Sequence, residues 1–196
     1  MSLQPKPRPT FEDWLAAERD ALDSRSEYLD GEVFAMAGAS ENHNQIVCNL
    51  VREISFQMKG RPCRVYASDL KVRIPAGNAG TYPDLVALCG ERRFDDGRRD
   101  VLLNPSLIAE VLSPSTEAYD RGDKFALYRR IPTLQEYLLV SQQRVHVERY
   151  SREPNERWVL TEFTAMNDSV ALASLDCALR LDDLYDKVEF DPPNAA

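Results

Sequence analysis

The chain has 196 residues, of which 43% are hydrophobic and 29% are charged, and its formal net charge at pH 7 is −8. This length suits one domain with a well-buried core, and no segment approaches the roughly 18 consecutive apolar residues of a membrane span, so we expect one soluble domain over residues 1–196. The negative charge argues against a general polyanion binder, because it would repel a phosphate backbone.

The amino-terminal part is predicted to contain two helices separated by a hairpin. A capping box and apolar residues at helical spacing predict a first helix over about residues 11–22. The dipeptide Asp30-Gly31, between two short apolar runs, is typical of a tight hairpin turn. Ser40 can cap a second helix, whose regular apolar stripe ends near Gly60.

Three strands are predicted next, and we expect them to form the centre of a sheet. Residues 64–74 alternate between apolar and polar side chains, which indicates one buried and one solvated face. A glycine-containing loop over residues 75–80 leads to an apolar strand at residues 82–88, and another apolar strand covers residues 107–112.

The remaining residues are predicted to mix helices and hairpin-linked strands. The expected helices cover about residues 121–130 and 181–188, and the expected strands cover residues 136–140, 145–150 and 158–163. Residues 1–9 and 191–196 are predicted to be loose. This order predicts an α/β (mixed α+β) fold, with helices packed on a mixed sheet.

The cysteines carry no recognisable site pattern. They lie far apart and form no C-x-x-C pair, which gives little support to a zinc site or a disulfide framework. The start of the chain also lacks the apolar core of a secretory signal. We therefore expect reduced thiols in a cytoplasmic protein; the four residues are Cys48, Cys63, Cys89 and Cys177.

Two acidic residues lie in predicted apolar strands. Glu110 stands within Leu-Ile-Ala-Glu-Val-Leu, and Asp84 directly follows Pro83 at the head of another strand. A buried carboxylate needs a partner, and one metal ion could serve both. Taken singly, Asp84 is explained as well by a turn and Glu110 by a structural ion pair. The pair favours a shared metal site.

Four further residues are candidates near these acids. Lys124 could place its ammonium beside a scissile phosphate, and Tyr128 lies one helical turn further along the same face. Without the acidic pair, Lys124 would be explained as an exposed helix lysine. Glu32 and Asp69 could supply an outer metal contact, although surface salt bridges explain Asp69 equally well.

The two histidines are interpreted differently. His43 lies on the inward stripe of the second helix, near its amino terminus, so we expect it to be neutral and partly buried. Its role is either that of a core histidine or that of a residue beside the metal. His146, on an alternating strand, is interpreted as a surface residue with no role.

Several segments resemble the Uma-type family of bacterial endonucleases. The block from Glu110 to Tyr128 is the most specific part of the resemblance, which covers about residues 10–188. The matching segments are Tyr28-Leu29-Asp30-Gly31-Glu32, Ser68-Asp69-Leu70, Tyr82-Pro83-Asp84-Leu85-Val86, Glu110-Val111-Leu112-Ser113-Pro114-Ser115-Thr116 and Asp120-x-x-Asp123-Lys124-x-x-x-Tyr128.

The resemblance implies a PD-(D/E)XK nuclease with a restriction-endonuclease-like mixed central sheet flanked by helices. It implies that Asp84, Glu110 and the carbonyl of Val111 bind Mg²⁺. The lysine of the superfamily motif is expected two residues after Glu110, where this chain has Leu112. The family pattern instead supplies Lys124 from the next helix.

The first hypothesis is therefore a Mg²⁺-dependent DNA endonuclease, with Mn²⁺ as an alternative ion. A homodimer is compatible with cleavage of both strands. The net charge does not exclude DNA, since metal-binding carboxylates count as negative and positive charge on one face can guide a nucleic acid. The alternatives are an inactive nucleic-acid-binding module and a protein-interaction module on the same fold.

Overall fold

A computed structural model describes residues 8–190. The helices are α1 (Phe11–Asp20), α2 (Glu41–Gln57), α3 (Glu117–Tyr119), α4 (Phe125–Tyr128) and α5 (Leu181–Leu184). The strands are β1 (Ser26–Leu29), β2 (Glu32–Ala35), β3 (Cys63–Ala67), β4 (Lys71–Ile74), β5 (Ala79–Thr81), β6 (Leu85–Cys89), β7 (Val101–Leu102), β8 (Leu107–Leu112), β9 (Glu136–Ser141), β10 (Val147–Arg152), β11 (Trp158–Phe163), β12 (Ser169–Leu172) and β13 (Cys177–Arg180).

The strands form three sheets. The largest has six strands in the order β11-β10-β9-β8-β6-β3, and a second has five in the order β2-β1-β5-β4-β7. Strands β12 and β13 form a separate hairpin. The β8–β9 and β4–β7 pairs are parallel, whereas the other strand pairs within these sheets are antiparallel. The predicted mixed α+β fold is confirmed.

The six-stranded sheet separates two hydrophobic cores. Alternate residues of a strand point to opposite faces, so Ala109 and Val111 pack in the core with α2, α5 and the β12–β13 hairpin. Ile108 and Leu112 pack on the other face, with β4 and α4. Glu110 shares the second face by the same alternation, so its carboxyl points toward the segment that carries α3 and α4.

The sheet arrangement differs from the expectation of one central sheet. The predicted strand over residues 64–74 is two strands, β3 and β4, which belong to different sheets. The predicted loop over residues 75–80 contains the start of β5, which pairs with both β1 and β4. Pairing between distant strands decides this division, and alternation within one strand carries no information about its partner.

The helix after β8 starts earlier than predicted. It begins at Glu117, passes through a π-helical turn over Asp120–Lys124 and ends with α4 at Tyr128. Lys124 therefore lies at the end of the wide turn, with a helical turn on either side. Wider turns of this kind occur often at functional sites. The final helix, α5, ends at Leu184.

The expectation that all four thiols are reduced is wrong for one pair. Cys63 and Cys89 are registered neighbours in β3 and β6, and a disulfide joins them, with a Cα–Cα distance of 3.9 Å. Cys48 is an exposed free thiol and Cys177 a buried one. No cysteine spacing in the sequence indicates this pairing, because strand register alone brings the two residues together.

The predicted loose ends lie outside the described residues except for Arg8 and Pro9, whose carbonyl accepts a hydrogen bond from the Tyr28 hydroxyl at 3.2 Å. Among residues 8–190, no helix is both long enough and apolar enough to cross a membrane.

Candidate active site

Glu110 is the most deeply buried acid of the site. It lies in β8, where every residue is buried, and is itself 3% exposed. Its Oε1 lies 3.0 Å from Lys124 Nζ and accepts a hydrogen bond of 2.8 Å from the Tyr128 hydroxyl. The wide turn and α4 therefore bring both side chains onto the one carboxyl in the face of the sheet.

Asp84 lies beside Glu110, between β5 and β6. Strands β6 and β8 are antiparallel, with Leu85 opposite Ala109, so Asp84 stands next to Glu110 across the pair. The Val111 amide donates to Asp84 Oδ2 at 2.8 Å, and the Asp84 amide donates to Glu110 Oε2 at 3.3 Å. The two carboxyl groups are thus held at the same end of neighbouring strands.

Two further acids join the cluster without having been identified from the sequence as site residues. Glu27 of β1 is 8% exposed, and its Oε1 lies 3.1 Å from Lys124 Nζ. Asp120 is 4% exposed, and its Oδ1 lies 3.6 Å from the same nitrogen. The i,i+4 spacing of Asp120 and Lys124 was an available signal. Glu27 gave a weaker signal, as an acid at the head of a short apolar run.

Glu32 and Asp69 are not brought to this cluster. The Glu32 side chain is 58% exposed and lies 3.6 Å from Arg8. The Asp69 side chain is 73% exposed and pairs with Arg25. Among the described residues, neither acid forms a hydrogen bond or an ion pair with Asp84. The hairpin does supply an acid to the cluster, but it comes from β1, because the Cα register pairs Glu27 with Phe34 and leaves Glu32 at the turn.

The two histidines lie in different surroundings. His43, in the first turn of α2, places Nε2 3.1 Å from Asp84 Oδ2. Its buried Nδ1 has no hydrogen-bond partner among residues 8–190. His146 was interpreted as a surface residue, which is wrong: it is 8% exposed and its Nε2 lies 2.9 Å from Glu162 Oε1. The His146 backbone amide donates a hydrogen bond of 3.1 Å to the Tyr185 hydroxyl oxygen.

The electrostatics of the cluster are dominated by burial and by an excess of acids. Burial raises the pKa of Glu110 well above its ordinary value, and the nearby Lys124 ammonium only partly opposes this. Burial by itself would lower the pKa of Lys124, but the charges of Glu110, Glu27 and Asp120 outweigh it and raise that pKa. Burial also raises the pKa of Asp120. The site therefore retains protons or attracts further cations.

The donor set suits a hard divalent cation. The acids offer carboxylate oxygens, which Mg²⁺ and Mn²⁺ accept readily. In the part of the chain that the structure describes, no hydrogen bond or ion pair occupies Asp84 Oδ1. The acids surround the lysine and do not converge on a single point. An ion here would therefore use few protein ligands and keep several waters, as Mg²⁺ commonly does.

The chain matches a protein family and is similar to two cyanobacterial proteins over most of its length. Residues 9–182 match the Uma2 family, described as "Putative restriction endonuclease". Two proteins of Synechocystis sp. are similar over most of the chain: the uncharacterized protein sll1609 is 38% identical, with 82% of this chain and 90% of the relative covered. The uncharacterized protein slr1290 is 36% identical, with 95% of this chain and 96% of the relative covered.

A solved structure shares the fold. It is a crystal structure of "a putative nuclease belonging to DUF820" from Anabaena variabilis, with a TM-score of 0.75 and 19% sequence identity, covering 90% of this chain and 97% of that one. This likeness shows the fold, and the family match is what supports a nuclease-like function.

Proposed function

Because the chain belongs to the Uma2 family, we propose that it is a metal-dependent endonuclease that hydrolyses phosphodiester bonds in DNA. The observation that carries the proposal is the pair of carboxyl groups of Asp84 and Glu110, which stand side by side on neighbouring strands with the Lys124 ammonium at Glu110. Oxygen ligands and a cationic side chain are what hydrolysis of a phosphodiester needs.

The residues that would hold the ion are Asp84, Glu110 and the carbonyl of Val111. Mg²⁺ is the expected ion, and Mn²⁺ has a similar preference for oxygen ligands. Once bound, such an ion supplies an activated water and neutralises charge on the phosphate. The Val111 amide already donates to Asp84 Oδ2, which orients that carboxylate.

Lys124 is proposed to stabilise the negative charge that develops on the phosphate during cleavage. Its ammonium is 3.0 Å from Glu110 and 3.1 Å from Glu27, so two strands fix its position before substrate arrives. A pre-positioned cation does not have to reorganise during the reaction.

Two neighbours act as positioning residues in this proposal. The Tyr128 hydroxyl, which also contacts Thr81 at 3.1 Å, orients Glu110. His43 holds Asp84 through Nε2, which has to carry a proton in order to donate to Asp84 Oδ2.

The net charge of −8 shapes how DNA would be recognised. Long-range attraction of a polyanion is weak for such a protein, so binding has to depend on the metal and on local contacts. We therefore expect DNA to bind poorly when divalent metal is removed. A homodimer would place two such sites on a duplex.

The test is cleavage of plasmid and oligonucleotide DNA in Mg²⁺ or Mn²⁺. We expect cleavage by the natural protein, its loss in EDTA, and a reduction of at least about a hundredfold in Asp84→Asn and Glu110→Gln. Glu32→Gln is the matched control, since it removes an exposed acid outside the cluster. Cleavage that survives Glu110→Gln would overturn the assignment of the site.

A non-cleaving module is the second candidate, favoured by Leu112 at the position of the superfamily lysine. Binding of DNA in Mg²⁺ and Mn²⁺ without cleavage would support a nucleic-acid-binding module. If the protein neither binds nor cleaves DNA, a protein-interaction module is favoured, in which Lys124 only neutralises buried acids.

A further inference from the structure

A second group of metal-ligating side chains lies outside the site described above. His146 precedes β10, Glu148 lies within it, and Glu162 lies in β11. One ligand atom from each of the three falls within 4.8 Å of the others. In residues 8–190 this is the sole trio of histidine, cysteine and acidic ligand atoms that meets this distance.

The backbone pre-organises this trio. Glu148 and Glu162 are directly opposite each other in the antiparallel β10–β11 pair. Like charges at such positions are unfavourable unless a cation lies between them. His146 is two residues before Glu148, so its ring points to the same face of the sheet. One hairpin therefore presents an imidazole and two carboxylates on a single face.

Protein cations neutralise this group only in part. Arg121 donates to Glu148 Oε1 at 2.9 and 2.7 Å, but it also pairs with Glu117 at 2.7 Å. Within the described part of the chain, Glu162 pairs with no arginine or lysine, and its partner is His146, which is charged only when protonated. Glu148 therefore shares its guanidinium with Glu117, and Glu162 has none.

We propose that His146, Glu148 and Glu162 form a binding site for a divalent transition-metal ion such as Zn²⁺ or Mn²⁺. Imidazole and carboxylate ligands together suit these ions, and three protein ligands leave positions open for water. The Glu162 side chain is 58% exposed, which gives the ion access from solvent. An imidazole ligand discriminates against Mg²⁺, which prefers oxygen.

Binding requires one proton shift. His146 Nε2 has to be unprotonated to bind the ion, so the ring proton moves to Nδ1. Arg144 lies 3.4 Å from Nδ1 in the present arrangement, and because this arginine is exposed it can turn away. The carboxyl of Glu162, now 2.9 Å from Nε2, would turn to the ion in place of that hydrogen bond.

The proposed site is separate from the Asp84–Glu110 pair and does not rest on the proposed function. Glu148 is registered with Leu139, which is registered with Glu110, so the two acids lie two strands apart on one face. Two strand spacings of roughly 4.8 Å place them about 10 Å apart.

The experiment uses NMR of the two histidine rings, since the chain has only His43 and His146. Substoichiometric Mn²⁺ is added to the full-length Asp84→Asn protein, in which the first site is weakened. We expect selective broadening of the His146 ring signals, and Zn²⁺ titrated by calorimetry should bind with a stoichiometry near one. Unchanged His146 signals would overturn the proposal.

Glu162→Gln is the deciding variant, because its side chain is largely exposed and its loss should not prevent folding. We expect Zn²⁺ affinity to fall at least about tenfold, whereas excess Mg²⁺ should not displace Zn²⁺. The matched control is Glu156→Gln, an exposed acid of the neighbouring turn. Equal Zn²⁺ affinity in Glu162→Gln, Glu156→Gln and the natural protein would overturn the proposal even if the His146 signals broaden.

Discussion

Two acid clusters on one face of the six-stranded sheet differ in how their negative charge is neutralised. The Lys124 cluster collects Glu27, Glu110 and Asp120 from three separate segments, and these acids are almost fully buried around one ammonium. The His146 cluster comes from a single hairpin, includes an exposed acid and relies on a shared arginine. Burial makes the first cluster depend strongly on its cation, whereas water can stabilise the second.

Removing the cation of the buried cluster should have the largest effect. Lys124→Met leaves Glu110 and Glu27 without a counter-charge in a dry environment, and breaking such a buried pair typically costs about 3–5 kcal/mol. We expect a loss of that size in the free energy of unfolding, measured by urea denaturation at neutral pH. Lys59→Met, which removes an exposed lysine, is the control and should change little.

A small loss of unfolding free energy in Lys124→Met would contradict the view that the Lys124 cluster carries excess negative charge. The double variant Lys124→Met/Glu110→Gln sharpens the result. Removing one acid as well should restore part of the lost stability, and no restoration would show that Glu110 carries no charge in the Lys124→Met protein.

The second prediction concerns pH. The raised pKa of Glu110 means that the folded protein holds this proton more tightly than the unfolded chain. The resulting stabilisation is complete below the unfolded pKa of about 4.3 and is lost as pH rises through the folded pKa. In EDTA, the natural protein should therefore lose stability relative to Glu110→Gln as pH rises, by up to about 1.4 kcal/mol per pH unit.

Urea denaturation of both proteins at several pH values above 4.5 measures this difference. Saturating Mg²⁺ should reduce it if the ion replaces the proton at Glu110. A Glu110→Gln protein that is less stable than the natural one by the same amount at every pH would show that Glu110 is ionised throughout and that Lys124 compensates it fully.

The smallest effect is expected in the His146 cluster. Glu162→Gln removes a carboxylate whose partner is a histidine, and surface ion pairs contribute about 0–1 kcal/mol. The metal-free unfolding free energy should change by less than about 0.5 kcal/mol at neutral pH. A larger loss would show that water does not stabilise this cluster and that the contrast with the Lys124 cluster is one of degree.

Local patterns determined much of this protein. Apolar periodicity and capping residues predicted α1 and α2, and Asp30-Gly31 predicted the β1–β2 hairpin, because these signals act over a few residues. An acid inside an apolar run, as at Glu110, identified a position that needs a partner, since burying an isolated charge is costly wherever the strand lies.

Only the tertiary structure decided which partners meet. Glu27 joins the buried cluster in place of Glu32, Cys63 pairs with Cys89, and His146 is buried against Glu162, in each case through the register of strands. Register shifts by one residue exchange the two faces of a strand. The sequence of a single strand therefore determines which residues alternate, and contacts between distant segments determine which of them face the site.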